Sequence, residues 1–217
     1  MGAIARNIAN NITTSGVFTS GAIANSSVTG ITVLANASDG ITFISSQTAS
    51  NSASLSFTSG LTSTYKAYKF VFSNIKVATN AEEFGFLTST NGGSSYGNTV
   101  ANSAFRAYHN ESDADAGVGY VSDFDLTQST GLNNLSLNQG NNSDDSYSGT
   151  LTLFNPSSTT YVKHFICSGS NSHDTVTPLI VNNYLAGYVN TTSAVNAIQF
   201  KASSGNITGT IYMYGIK

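Results

Sequence analysis

The sequence predicts an all-β protein: an antiparallel β-sandwich, jelly-roll-like, carrying an extended N-terminal arm. Three observations point there. Short segments such as "ITFISSQT" and "ASLSFTSG" alternate apolar with hydroxyl residues, the two-residue period of strands with one buried and one wet face. Gly, Asn and Pro turns recur between such segments at the spacing of antiparallel connections. No long stretch carries the three-to-four-residue apolar period of an amphipathic helix. Roughly ten strands can be placed in this way, and a closed barrel is the alternative architecture.

The first segment, residues 1–40, has scattered single apolar residues and several glycines. Ala3, Ile4, Ile8 and Ile12 share a helical face, but the β-branched and Asn-rich context makes that helix weak. The segment holds too little apolar surface to fold alone. It is read as an arm that orders on contact with something else, the alternative being a disordered leader. No apolar run follows Arg6, so a secretory signal is not expected, and Arg6 also breaks the myristoylation pattern.

Residues 41–217 read as the sandwich domain. In "STYKAYKFVFSNIKV", Tyr65, Ala67, Lys69, Val71, Ser73 and Ile75 alternate with Lys66, Tyr68, Phe70, Phe72 and Asn74. Consecutive Phe70, Val71 and Phe72 predict burial on both faces. "EEFGFLTSTNGGSSYG" predicts a hairpin whose turn at Asn91-Gly92-Gly93 supplies positive φ. "SAFRAYHNESDADAGVGYVSDFDLTQST" holds a polar loop between two strands. "GLNNLSLNQGNNSDDSYSG" is loop-like around a short alternation of Leu132, Leu135 and Leu137.

Beyond Gly149 the strands resume, with a turn seeded by Asn155-Pro156. The chain closes on two strands around a turn, "AIQFKA" and "TIYMYGI". The first is amphipathic, with Ile198, Phe200 and Ala202 on its apolar face. The second has apolar bodies on both faces, which demands a place in the middle of the sandwich or at a subunit contact.

Composition bounds the function. Charged residues are only 9% of the 217, and the net charge of −3 leaves no basic stripe for phosphates, so nucleic-acid binding is not expected. No run approaches the roughly 20 apolar residues of a membrane helix, and membrane insertion is not expected either. A charge-poor, hydroxyl-rich surface packs readily against copies of itself, and a homo-oligomer, a homotrimer, is the expected state.

Chemistry-bearing residues are few. His164, Cys167 and His173 lie close in sequence but match no zinc spacing, and Cys167 reads as a buried strand residue. "HNESDADAG" places Glu111, Asp113, Asp115 and Gly117 loosely like a calcium loop, with Asp113 and Asp115 the candidate ligands. It lacks the bidentate Glu such loops need, and a solvated acidic loop is the preferred reading. Asp144 and Asp145 are adjacent carboxylates without a supported acid–base geometry. No nucleophile elbow, P-loop or dinucleotide fingerprint occurs, so no catalytic residue and no cofactor are assigned. Tyr96, Tyr108, Tyr120 and Tyr147 are the candidate stacking platforms for glycan rings, weighed against the ordinary preference of tyrosine for strands.

Three segments carry a resemblance: "STYKAYKFVFSNIKVATNAEEFGFLTSTNGGSSYG", "LTLFNPSSTTYVKHFI" and "AGYVNTTSAVNAIQFKASSGNITGTIYMYGIK". With the leader "MGAIARNIANNITTSGVFTSGAI", they resemble virion structural proteins of tailed phages of marine bacteria, such as cyanophages and pelagiphages. The resemblance implies a non-enzymatic component on the virion surface, tail-fibre-like, head-fibre or capsid-decorating. Residues 1–40 would join it to other virion proteins of the capsid or tail, and the sandwich would meet a host surface glycan. A glycan-degrading enzyme is the reading from another class.

Overall fold

The computed structural model describes residues 40–174 and 179–217. The expected arm, but for Gly40, lies outside the described residues. Thirteen strands are described. The first four are β1 (Ile41–Ser52), β2 (Leu55–Phe57), β3 (Ala67–Val77) and β4 (Phe84–Ser89); then come β5 (Val100–Asn110), β6 (Ala116–Tyr120), β7 (Thr127–Ser129) and β8 (Asn133–Asn134). The last five are β9 (Tyr147–Phe154), β10 (Lys163–His173), β11 (Leu179–Val189), β12 (Ala197–Ala202) and β13 (Ile207–Ile216). Among the described residues a 3-10 turn spans Ser122–Phe124. Among the described residues no helix is long and apolar enough to cross a membrane.

Two antiparallel sheets make the sandwich. The larger runs β1-β13-β3-β9-β10-β11-β5-β6 with β7 also paired to β5, and the smaller runs β2-β12-β4-β8. The first strand pairs with the last in one sheet, and the second with the penultimate in the other. That alternation is the winding of a jelly roll. Its eight strands form β1-β13-β3-β9 and β2-β12-β4-β8. The remaining five strands are insertions, β5–β7 between β4 and β8 and β10–β11 between β9 and β12, and all five widen the larger sheet.

Aromatic side chains fill the space between the sheets. Phe200 of the small sheet has ring centroids 5.2 Å from both Phe70 and Phe72, and 6.1 Å from both Phe57 and Phe84. Lys163 is fully buried, and its ammonium donates to Tyr161 O at 2.7 Å and Thr191 O at 2.9 Å. Burial lowers its pKa, and the two carbonyls make the position tolerable.

Several expectations are corrected. Asn91-Gly92-Gly93 does turn with positive φ at both glycines, but no hairpin forms. The chain leaves the small sheet there, and β4 instead pairs with β8 and β12. The closing strands also lie in different sheets, β12 beside β4 and β13 between β1 and β3. β13 buries Ile211 and Met213 inward and keeps Tyr212 and Tyr214 half-exposed on the outer face. Val71 likewise sits on the outer face, so β3 is buried on one side only.

In β3 the alternation changes phase. Tyr68, Phe70 and Phe72 face the core, and so do Ile75 and Val77. A bulge at Ser73-Asn74, with Asn74 at φ 51°, inserts the extra residue. Opposite it, a Cβ on Gly209 (φ 134°) would lie 2.5 Å from Asn74 O, so only glycine fits. The Asn155-Pro156 hairpin is present as expected, joining β9 to β10. The polar loop of Glu111–Asp115 joins β5 to β6.

Candidate functional site

An open cleft of about 540 Å³ lies at one end of β9, β10 and β11. Four serines, Ser146, Ser148, Ser170 and Ser172, contribute hydroxyls to its lining. Asn142 and Asn171 add amides, Glu111, Asp144 and Asp145 add carboxylates, and His173 adds an imidazole. Leu179 and Ile180 supply the apolar wall.

The 133–146 segment shapes this site although its sequence reads as loop. Leu135 and Leu137 insert into the core. Asn171, 1% exposed, donates to Leu137 O at 3.0 Å and accepts from Leu137 N–H at 3.3 Å, so it acts like a piece of paired strand. Asn183 Nδ2 donates to Asn171 Oδ1 at 2.8 Å, and Gln139 Nε2 donates to Ile75 O at 2.7 Å. These amides staple the segment to the large sheet through their N–H groups, while Gln139 Oε1 and Asn183 Oδ1 stay buried without a partner among the described residues.

The two adjacent aspartates have separate fates. Asp145 closes its own turn, accepting from Asn142 N–H at 2.9 Å, while Lys76 Nζ donates to Asn142 O. Asp144 is exposed. One carboxylate is thus engaged in backbone geometry while the other faces solvent. His173 is partly buried, and desolvation pulls its pKa below the usual imidazole range, with the Arg106 charge adding to the shift against Asp174. The ring is therefore neutral near pH 7, and its buried Nδ1 has no hydrogen-bond partner among the described residues.

His164 points away from the core, 5.9 Å from the Tyr188 ring. Cys167 is buried, and its nearest polar partner is Tyr147 Oη at 3.4 Å. Burial pushes the thiol up to about 12, so it is neither a nucleophile nor a metal ligand. In the β5–β6 loop the Asn110 side chain accepts from the backbone N–H groups of Ala114 and Asp115 at 2.9 and 3.1 Å. Asp113 pairs instead with His109 at 2.9 Å. The candidate calcium ligands Asp113 and Asp115 thus belong to a stapled hairpin turn. Among the described residues no three His, Cys, Asp or Glu side chains converge as a metal site.

The four candidate tyrosines are dispersed. Tyr96 is half-buried in the connection after β4, its hydroxyl enclosed without a partner. Tyr108 faces inward on β5, with the Arg106 guanidinium 5.1 Å from its ring centroid. Tyr120 is exposed on β6 and donates to Asp125 Oδ2 at 2.5 Å; that bond raises the phenol pKa. Tyr147 is corrected: it is 0% exposed, packed against Phe72 and Phe84, and cannot meet a ligand.

A different aromatic pair is exposed. Phe105 and Tyr184 stack with centroids 4.8 Å apart and planes 10° apart on the outer face of the large sheet. Both belong to recognisable alternating strands. What joins them is the β5–β11 register, which no local pattern reveals. The chain matches no known protein family, no characterised protein and no solved structure.

Proposed function

We propose that this chain is a non-enzymatic structural protein of a phage virion, attached through residues 1–40 and displaying its jelly roll to a host surface glycan. The supporting observation is the cleft. It combines serine hydroxyls, amides, exposed carboxylate and a neutral imidazole beside an apolar wall of Leu179 and Ile180. Such groups hydrogen-bond a polyol and cover its C–H face without offering an acid–base pair. The segments that resemble virion proteins supply the jelly-roll strands β3, β4, β12 and β13 and half of β9, and they reach into the inserted β10 as far as Ile166 and into β11 from Ala186, whereas none of the residues lining the cleft falls within them. On this reading the frame is common and the insertions carry recognition.

The test is imaging of intact virions labelled with a gold-conjugated antibody against the chain. Gold at the tail or fibre tips supports attachment. Particles without gold would sink the virion reading. Filling the cleft with Ser170→Phe should abolish adsorption of the purified protein to host cells while leaving its fold intact. A second reading, capsid decoration, draws on the width of the nine-stranded sheet, and gold over the head would favour it.

A further inference from the structure

Six of the ten large hydrophobic side chains exposed among the described residues lie on one surface. Phe105, Val118, Tyr120, Ile166, Ile180 and Tyr184 all project from the outer face of β5, β6, β10 and β11. Register places several of them in a row. Ser168 is opposite Tyr184, Tyr184 opposite Phe105, and Phe105 opposite Tyr120. Directly opposed residues in antiparallel strands share a face, so this row crosses β10, β11, β5 and β6.

The outer-face positions of these four strands include no Asp, Glu, Lys or Arg; the charged Arg106 and Lys163 point the other way. Two such faces can meet with little like-charge repulsion; the carboxylates bonded to the face, Asp125 at Tyr120 and Asp113 at His109, belong to the flanking loops. Four strands about 4.8 Å apart, each showing up to five side chains at about 6.8 Å intervals, present roughly 500 Å² in projection once the cleft end is left out. A stable association buries about 800 Å² per partner, within reach once side-chain relief and the neighbouring strand β9 are added. A face that gathers six large exposed apolar side chains, interleaved with uncharged polar ones, suits an interaction surface.

We infer that the outer face of β5, β6, β10 and β11, apart from its Ser170, Ser172 and Ile180 end where the cleft opens, is covered by another copy of this chain. A second copy is the occupant the face fits, because it brings the same uncharged, aromatic surface and needs no complementary charge. The inference stands apart from the virion reading: it concerns self-association alone and survives if gold labelling finds no particle.

Sedimentation of the full-length chain tests it, using wild type, Val118→Glu, Ile166→Glu and the control Tyr161→Glu. Val118 is 76% exposed and Ile166 56%, on opposite sides of the face, so a carboxylate at either costs the monomer little. Tyr161 is 69% exposed in the connection between β9 and β10. The expected result is a dimer for wild type and for Tyr161→Glu. Each face variant should show at least a tenfold weaker association while melting like wild type at a dilution where both are monomeric. If one face variant melts early, the other decides. A monomeric wild type overturns the inference and leaves the face to a different occupant. Face variants that assemble like wild type, or a Tyr161→Glu chain that falls apart with them, overturn it as well.

Discussion

Gly169→Ala should destabilise the domain through one identified collision. Gly169 on β10 faces Gly149 on β9, and the Tyr147 ring folds back over this side-chain-free pair. A Cβ at 169 would lie 2.3 Å from Tyr147 Oη and 2.4 Å from its Cζ. Ordinary carbon contacts need about 3.5–4.0 Å, so the ring must retreat by more than about 1 Å. It has nowhere to go: it is 0% exposed, with Phe72 and Phe84 centroids at 5.8 and 5.7 Å and its hydroxyl on Cys167.

Overpacking costs about 1–3 kcal/mol, and a disturbed aromatic pair adds about 0.5–1.5 kcal/mol. A total of about 3 kcal/mol should lower the melting temperature of a domain this size by roughly 6–12 °C. Tyr147→Leu removes the obstacle. A double-mutant cycle by thermal and urea unfolding should therefore give a coupling of at least about 1 kcal/mol, the double variant being less damaged than the sum. Strict additivity, or a Gly169→Ala melting point within about 2 °C of wild type, would refute the collision.

Two further outcomes follow from the buried polar groups. Lys163→Met should cost about 1–3 kcal/mol in urea unfolding, since it leaves the carbonyls of Tyr161 and Thr191 without their ammonium donor; an unchanged midpoint would mean that those carbonyls find other donors. His173 has a folded pKa below its unfolded value, so the unfolded chain binds more protons as pH falls below about 6.5, and stability drops through that window. His173→Gln should flatten the melting-temperature profile there relative to wild type, and an identical slope would remove His173 from the acid response.

Much of the all-β character is local chemistry and is legible in the chain. Alternation in "ASLSFTSG" and "AIQFKA", positive-φ glycines at 92 and 93, and the Asn155-Pro156 turn need only a few consecutive residues to specify them. The cleft is barely legible. Its serines and acids are scattered over Glu111–Ile180 and meet only because two insertions join the same sheet. The tyrosines illustrate the same limit: their ring chemistry is evident, but exposure depends on neighbours far along the chain, and Tyr147 is lost to the core because two glycines leave a slot for it.

What the sequence by itself determined is a charge-poor, strand-and-turn protein with apolar faces to bury, because period, turn residues and charge content act over short range. Tertiary structure alone decided that β4 pairs with β8, that β12 and β13 part into different sheets, and that β3 changes phase at Asn74. The reason is that an alternating strand fits many partners equally well in isolation. The choice among them belongs to the summed packing of the whole sandwich, and the arrangement adopted buries Phe57, Phe70, Phe72, Phe84 and Phe200 together.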